Sequence, residues 1–167
     1  MPLPNLSRVN GQSYQHATVA PTILFDGGRI PFNAFKSLDY GVKVEKKPVK
    51  DSQGHDTGEW VLGVEDKSGA SIEVLKTEWR DIKRLLAAAY PTIGIGQIVM
   101  DWNVSYGNTP GTQITDKLFG VMFNDDPRSS NDSQDPLYVK LSLFIGGDII
   151  DGATGKPFIV YGQPSGL

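Results

Sequence analysis

The chain has no cysteine, which excludes disulfides, thiolate nucleophiles and cysteine-ligated zinc. Histidine is scarce too. His16 and His55 are the only two; both lie in polar stretches where a general base would lack an orienting partner, so they read as surface residues. No apolar run approaches the roughly 20 residues that span a bilayer as a helix. The opening MPLPNLSRVNGQSYQ lacks a basic stretch followed by an apolar core, so no secretory leader is read. The expectation is a protein made in a cytoplasm with no membrane contact, in which the sequons at Asn5, Asn103 and Asn131 are chance matches. Basic charge is also short. Sixteen Lys+Arg against nineteen Asp+Glu leave a formal charge of −3, with a sequence pI near 5.3. Tight nucleic-acid binding needs many Lys and Arg contacts to phosphate, and this balance argues against it. It leaves open a surface that DNA slides past.

Catalytic motifs are missing. There is no G-x-S-x-G, H-E-x-x-H or P-loop. Gly94-Ile95-Gly96 follows a helical stretch instead of opening one, so it is no phosphate cradle. Asp101, Asp116, Asp148 and Asp151 could be imagined as a cation site, but Asp101 and Asp116 read as outward-facing positions on paired strands. The acidic stretch 124–135 lacks the EF-hand order. No catalytic, cofactor or metal residue is therefore expected.

What is present centres on GASIEVLKTEWRDIKRLLAAAYP, Gly69 to Pro91. Ile72 and Val74 alternate at period two, the mark of a half-buried strand. The period then becomes helical, with Trp79, Ile82, Leu85, Leu86 and Ala89 on one face. Thr77 stands where an N-cap belongs, and Glu78 and Asp81 lie near the positive end of the helix dipole. Pro91 ends the helix by pushing Tyr90 towards extended geometry. Trp79, Ile82, Leu85 and Leu86 are the expected packing residues.

The rest reads as strand and loop. Residues 1–17 form a polar N-terminal arm, expected to be flexible in the lone protein. Thr18 to Phe25 is a first strand, with Pro21 suggesting an edge or bulge. Asp26-Gly27-Gly28 turns it back through Arg29 to Phe32. A long hairpin follows from Val42 to Val64, basic at Lys43, Lys46, Lys47 and Lys50, with a polar tip DSQGHDTG. It is too long to bury both faces in so small a domain, so it is expected to project. Gln97 to Tyr106, Thr112 to Phe123 and Pro136 to Ile145 are further strands. In the last of these Leu137, Val139, Leu141, Leu143 and Ile145 alternate cleanly. Residues 124–135 are an acidic loop carrying Asp125, Asp126, Asp132 and Asp135. Trp60, Trp79 and Trp102 read as core or interface anchors, with a stacking platform for single-stranded nucleic acid as the lesser alternative. The expected architecture is one mainly β (α+β) domain over 1–167: an antiparallel β-barrel or two packed sheets, one flanking α-helix, a projecting hairpin and the arm.

Projecting elements suit a subunit that touches copies of itself. The basic segment Lys43–Lys50 and the acidic residues Asp125, Asp126, Asp132 and Asp135 have opposite sign, and are candidate partners between neighbouring subunits. Head-to-tail contacts of that kind close into rings or run on as filaments.

The order KVEKKPVKDSQGHDTG, GASIEVLKTEWRDIKRLL, VSYGNTPGTQITDKLFGVMFND, a polar loop, then PLYVKLSLFIGGDIIDG resembles tail tube proteins of tailed bacteriophages, over roughly Phe25 to Gly152. The likeness is strongest at Ala70-Ser71-Ile72-Glu73 leading through Lys76 into the helix, and at Thr115-Asp116 with Leu118 and Gly120. The long polar arm and the run past Gly152 to Leu167 depart from the pattern. The resemblance implies a non-enzymatic virion tail protein, made in the host cytoplasm. It would form stacked, hexameric rings whose joined inner sheets enclose a lumen for DNA, with a fold similar to the type VI secretion tube protein. The partners implied are copies of itself and other tail proteins such as sheath, tape measure and baseplate. A ring-forming baseplate or tail-terminator protein, or a secretion-tube relative, is the alternative; a monomeric ligand-binding β-barrel is the second.

Overall fold

The computed structural model describes residues 6–9, 12–15, 20–26, 28–107, 113–127 and 138–157. The strands are β1 Leu6–Val9, β2 Gln12–Gln15, β3 Ala20–Phe25, β4 Gly28–Pro31, β5 Phe35–Asp39, β6 Lys43–Lys50, β7 Asp56–Asp66, β8 Ser71–Leu75, β9 Met100–Tyr106, β10 Ile114–Phe123, β11 Tyr138–Ile145 and β12 Ile149–Ile150. One α-helix, α1 Lys76–Ala89, follows β8 without a break, and a short 3-10 turn spans Ile95–Gln97. The mainly β class with a flanking helix is as expected from the sequence.

The main sheet runs β2-β1-β5-β8-β11-β10-β9-β3-β4, with β12 also on β10; β6 and β7 form a separate two-stranded sheet. Its two halves meet through β11. The first part of that strand, Tyr138 to Ser142, pairs with β8, and its last three residues pair with Val121–Phe123 of β10. The path ends at β2 and β4, so no pairing closes a barrel among the described residues. One contact departs from the antiparallel rule: β1 lies parallel to β5, with Val9 opposite Leu38.

That pairing corrects the arm. Residues 6–9 and 12–15 form a short hairpin added to the sheet, and Val9 is buried. Four-residue strands carry too little periodicity to be read from sequence. Pro21 also sits inside the sheet, on β3 between β4 and β9. It is tolerated there because the β3–β4 ladder ends at Thr22 opposite Pro31, and beyond it only the Pro21 carbonyl is used, accepting from Phe32 N–H at 2.9 Å.

On β10, Leu118 and then Val121 and Phe123 are buried, a change of parity made by a bulge between Leu118 and Val121. Gly120, at φ 66°, takes the left-handed conformation the bulge requires. The two phases of the strand then bury the same face.

The core is lined by aromatics. Phe32 packs on Trp102 at 5.0 Å between centroids, Trp102 on Phe123 at 5.8 Å, and Phe123 on Trp79 of α1 at 4.7 Å. With Ile82 and Leu86, Trp79 forms the buried stripe of the helix. Leu85 does not belong to it: it is 54% exposed, as the ~100° advance per residue carries it off the stripe beside Leu86. Ala89 is exposed as well.

The helix start differs from the sequence reading. The N-cap is Leu75, without a side-chain cap, and Thr77 lies inside the helix. Glu78 performs the tie instead: its carboxylate accepts the backbone N–H groups of Asn33 and Ala34, fastening the first turn of α1 to the β4–β5 connection.

Candidate assembly surface

The β6–β7 hairpin stands apart from the main sheet. Most positions of β6 are exposed, with Val44 and Val49 half-buried. Its ladder runs from Lys43 opposite Asp66 to Lys50 opposite Asp56, with irregularities between Val44 and Lys46 and between Pro48 and Lys50. Gly63 permits the first of these, since a Cβ there would sit 2.9 Å from the Glu45 carbonyl oxygen. At the tip, Asp51 Oδ1 accepts from Gln53 N–H at 2.9 Å and His55 N–H at 2.8 Å. These bonds hold the Asp51 carboxyl below its ordinary value, the His55 N–H foremost. A bond from Ser68 does the same for Asp66 at the other end.

Among the described side chains of the hairpin, two large apolar ones remain uncovered. Trp60 is 55% exposed and Val61 54%. Consecutive strand residues point to opposite faces, so each face of the hairpin presents one of them. Lys46 lies 5.2 Å from the Trp60 ring centroid, leaving an aromatic with a cation beside it.

The charge segregation expected from sequence is largely internal to the hairpin. Lys43, Lys46, Lys47 and Lys50 belong to β6, whereas Asp56, Glu59, Glu65 and Asp66 belong to β7. The positive strand is thus laid against a negative one, with Lys43 and Lys50 directly opposite acids. The acidic candidates are engaged elsewhere. Asp125 Oδ1 accepts from Ser142 N–H at 2.9 Å. Asp126 Oδ1 accepts from Trp79 Nε1 at 2.9 Å, and Lys83 Nζ lies 3.1 Å from Asp126 Oδ2. These two carboxylates fasten the loop to its own strand and helix. Asp132 and Asp135 lie outside the described residues, as does His16.

Beside the hairpin root is a cleft of about 770 Å³. Phe144, 48% exposed, stands on its wall, with Asp66, Asp148 and Lys140 around it. Phe119 and Tyr138 add exposed apolar area to neighbouring strands. The strand ends of the sheet at β2 and β4 lack an outer neighbour among the described residues. Among the described residues nothing resembles a catalytic centre. Among the described residues no three His, Cys, Asp or Glu side chains group to hold a metal, and no helix is long and apolar enough to cross a membrane.

Asp116 overturns its sequence reading. It is 6% exposed, not solvated on an outer face. Tyr40 donates its hydroxyl to Oδ2; Tyr106 donates to the same oxygen at 3.1 Å, and Gly152 N–H to Oδ1 at 2.8 Å. It shares the inner phase of Leu118, and three donors from distant segments make its burial tolerable. Sequence spacing alone could not reveal that convergence.

Comparison with known proteins finds little. No family model matches, and no curated protein matches. Among solved structures, the chain is similar to one chain of the anti-feeding prophage baseplate, determined with six-fold symmetry. The two are 14% identical with a TM-score of 0.49, over 89% of this chain and 95% of that one.

Proposed function

We propose that this chain is a ring-forming structural subunit of a phage-tail-like particle. The observation that carries the proposal is the hairpin: two strands that, among the described residues, pair only with each other, with Trp60 and Val61 uncovered on its opposite faces. A lone two-stranded ribbon is marginal in water, and apolar side chains on both its faces call for a partner on each. Identical copies are the economical source of such partners, and head-to-tail contacts between them generate rings or stacks. The segments whose order resembles tail tube proteins cover β6 with the hairpin tip, β8–α1, the end of β9 with β10, and β11–β12.

Two placements fit this reading. In a tube, hexameric rings stack and the lumen conducts DNA, the net charge of −3 keeping phosphate from sticking. In a baseplate or terminator, assembly stops at one ring. A ligand-binding barrel fits less well, because the main sheet is open and the Phe32, Trp102, Phe123 and Trp79 rings fill its buried face. The test is the mass and shape of the purified protein as concentration rises. Rings support the proposal, stacked rings the tube and single rings the baseplate. A monomer throughout refutes it.

A further inference from the structure

We propose that the segment Gly147–Gly152 is a clamp that fixes the direction in which the β6–β7 hairpin projects, so that a displacement of the C-terminal turn is transmitted to the hairpin. Both sides of the hairpin root are tied to this one stretch. On the incoming side, Tyr40 donates its hydroxyl to Asp116, and the other oxygen of that carboxylate accepts Gly152 N–H at 2.8 Å. On the outgoing side, Lys67 donates from Nζ to the Gly147 carbonyl and pairs with Glu65 at 3.2 Å, both side chains being largely buried at 14% and 13% exposure. Low exposure makes these links selective, since a charged or hydroxyl group left there without its partner carries a desolvation cost.

The clamp is itself set firmly on β10. Gly147 N–H donates to Phe119 O at 2.9 Å and Phe119 N–H to Asp148 O at 3.0 Å, and Ile149 and Ile150 pair with Leu118 and Lys117. Its two terminal glycines fit because they lack side chains. A Cβ at Gly152 would lie 2.3 Å from the Thr115 carbonyl oxygen, and one at Gly147 2.8 Å from Phe119. Beyond Gly152 the chain closes a turn around Asp151, which accepts Ala153 N–H at 3.0 Å, and returns to bridge Ile150 with Pro157. A contact made on this turn therefore acts at the point where the hairpin root is held.

The absence of cysteine makes the test direct. Spin labels at Gln53→Cys on the hairpin tip and Arg84→Cys on the exposed side of α1 report the hairpin direction as a distance distribution. The measurement is made on dilute, unassembled protein, so it stands or falls independently of ring formation. Relative to the parent, a broadened or displaced distribution is expected for Tyr40→Phe and for Gly152→Ala, each with its circular dichroism retained. Gly152→Ala is the decisive variant, because it lies in the turn and not in the hairpin. Should it not fold, Lys67→Met, which keeps the stem and removes the link to Gly147, replaces it. An unchanged distribution in either folded clamp variant, or a parent distribution as broad as theirs, overturns the proposal.

Discussion

Asp126 gives the sharpest test of how the loop after β10 is held. Its Oδ1 accepts the indole N–H of Trp79 at 2.9 Å, and Trp79 is buried. Replacing Asp126 by Ala strands that N–H, which costs about 1–3 kcal/mol. The ion pair with Lys83 is partly open to solvent, at 26% and 36% exposure, so its loss adds only about 0–1 kcal/mol. A total near ~2 kcal/mol is expected for Asp126→Ala. Asp126→Asn keeps an oxygen for the indole and should cost about half as much, and Lys83→Met, which removes the pair and the ammonium 5.4 Å from the Trp79 ring centroid, about 1 kcal/mol. Urea unfolding with a common slope measures all three. A cycle combining Asp126→Ala with Trp79→Phe should return a coupling of about 1 kcal/mol. If Asp126→Ala costs no more than Asp126→Asn, the indole bond does not stabilise the loop and the reasoning fails. Charge reversal at Asp126 would accordingly damage the subunit itself, and is a poor probe of contacts between subunits.

Other expectations follow from the same contacts. Trp60→Ala with Val61→Ala should leave monomer stability nearly unchanged, within about 0.5 kcal/mol per site by urea unfolding, while raising the concentration needed for assembly at least tenfold by sedimentation. Glu78→Ala removes the acceptor of two backbone N–H groups and should cost about 1–3 kcal/mol, seen as a lower urea midpoint. The Asp51 carboxyl sits below 3.8 in the folded state, so its stabilising bonds are fully present above 3.8 and are lost as pH falls through the lowered value. The Asp51 carboxyl carbon shift should titrate with a midpoint below 3.8. A midpoint above 3.8 would contradict the bonding at the tip.

Where periodicity was long, the sequence told the truth. The alternation in β11 is complete, inner positions buried and outer ones exposed, and the switch from β8 to α1 falls where the period changes. The hairpin was legible because its length exceeded what a small core can cover. What escaped notice depended on contacts between distant segments. The β1–β2 hairpin is too short to show a period, and the parallel contact with β5 is a tertiary choice. The Gly120 bulge hid the parity of β10, and Asp116 looked solvated because its donors stand 76, 10 and 36 residues away. The lysines of β6 suggest a partner in another subunit, and the register adds that Lys43 and Lys50 lie opposite Asp66 and Asp56 of the return strand. From sequence Trp60 reads as a core or an interface anchor, and its 55% exposure excludes the core.

The central claim is that the hairpin is completed by copies of the same chain. Negative-stain microscopy of the purified protein over a concentration series, with solution mass alongside and Trp60→Ala as the control, tests it most directly. Rings or stacks that appear with rising concentration, and recede in Trp60→Ala, are the predicted result. A parent protein that stays monomeric at the highest concentration reached would contradict it.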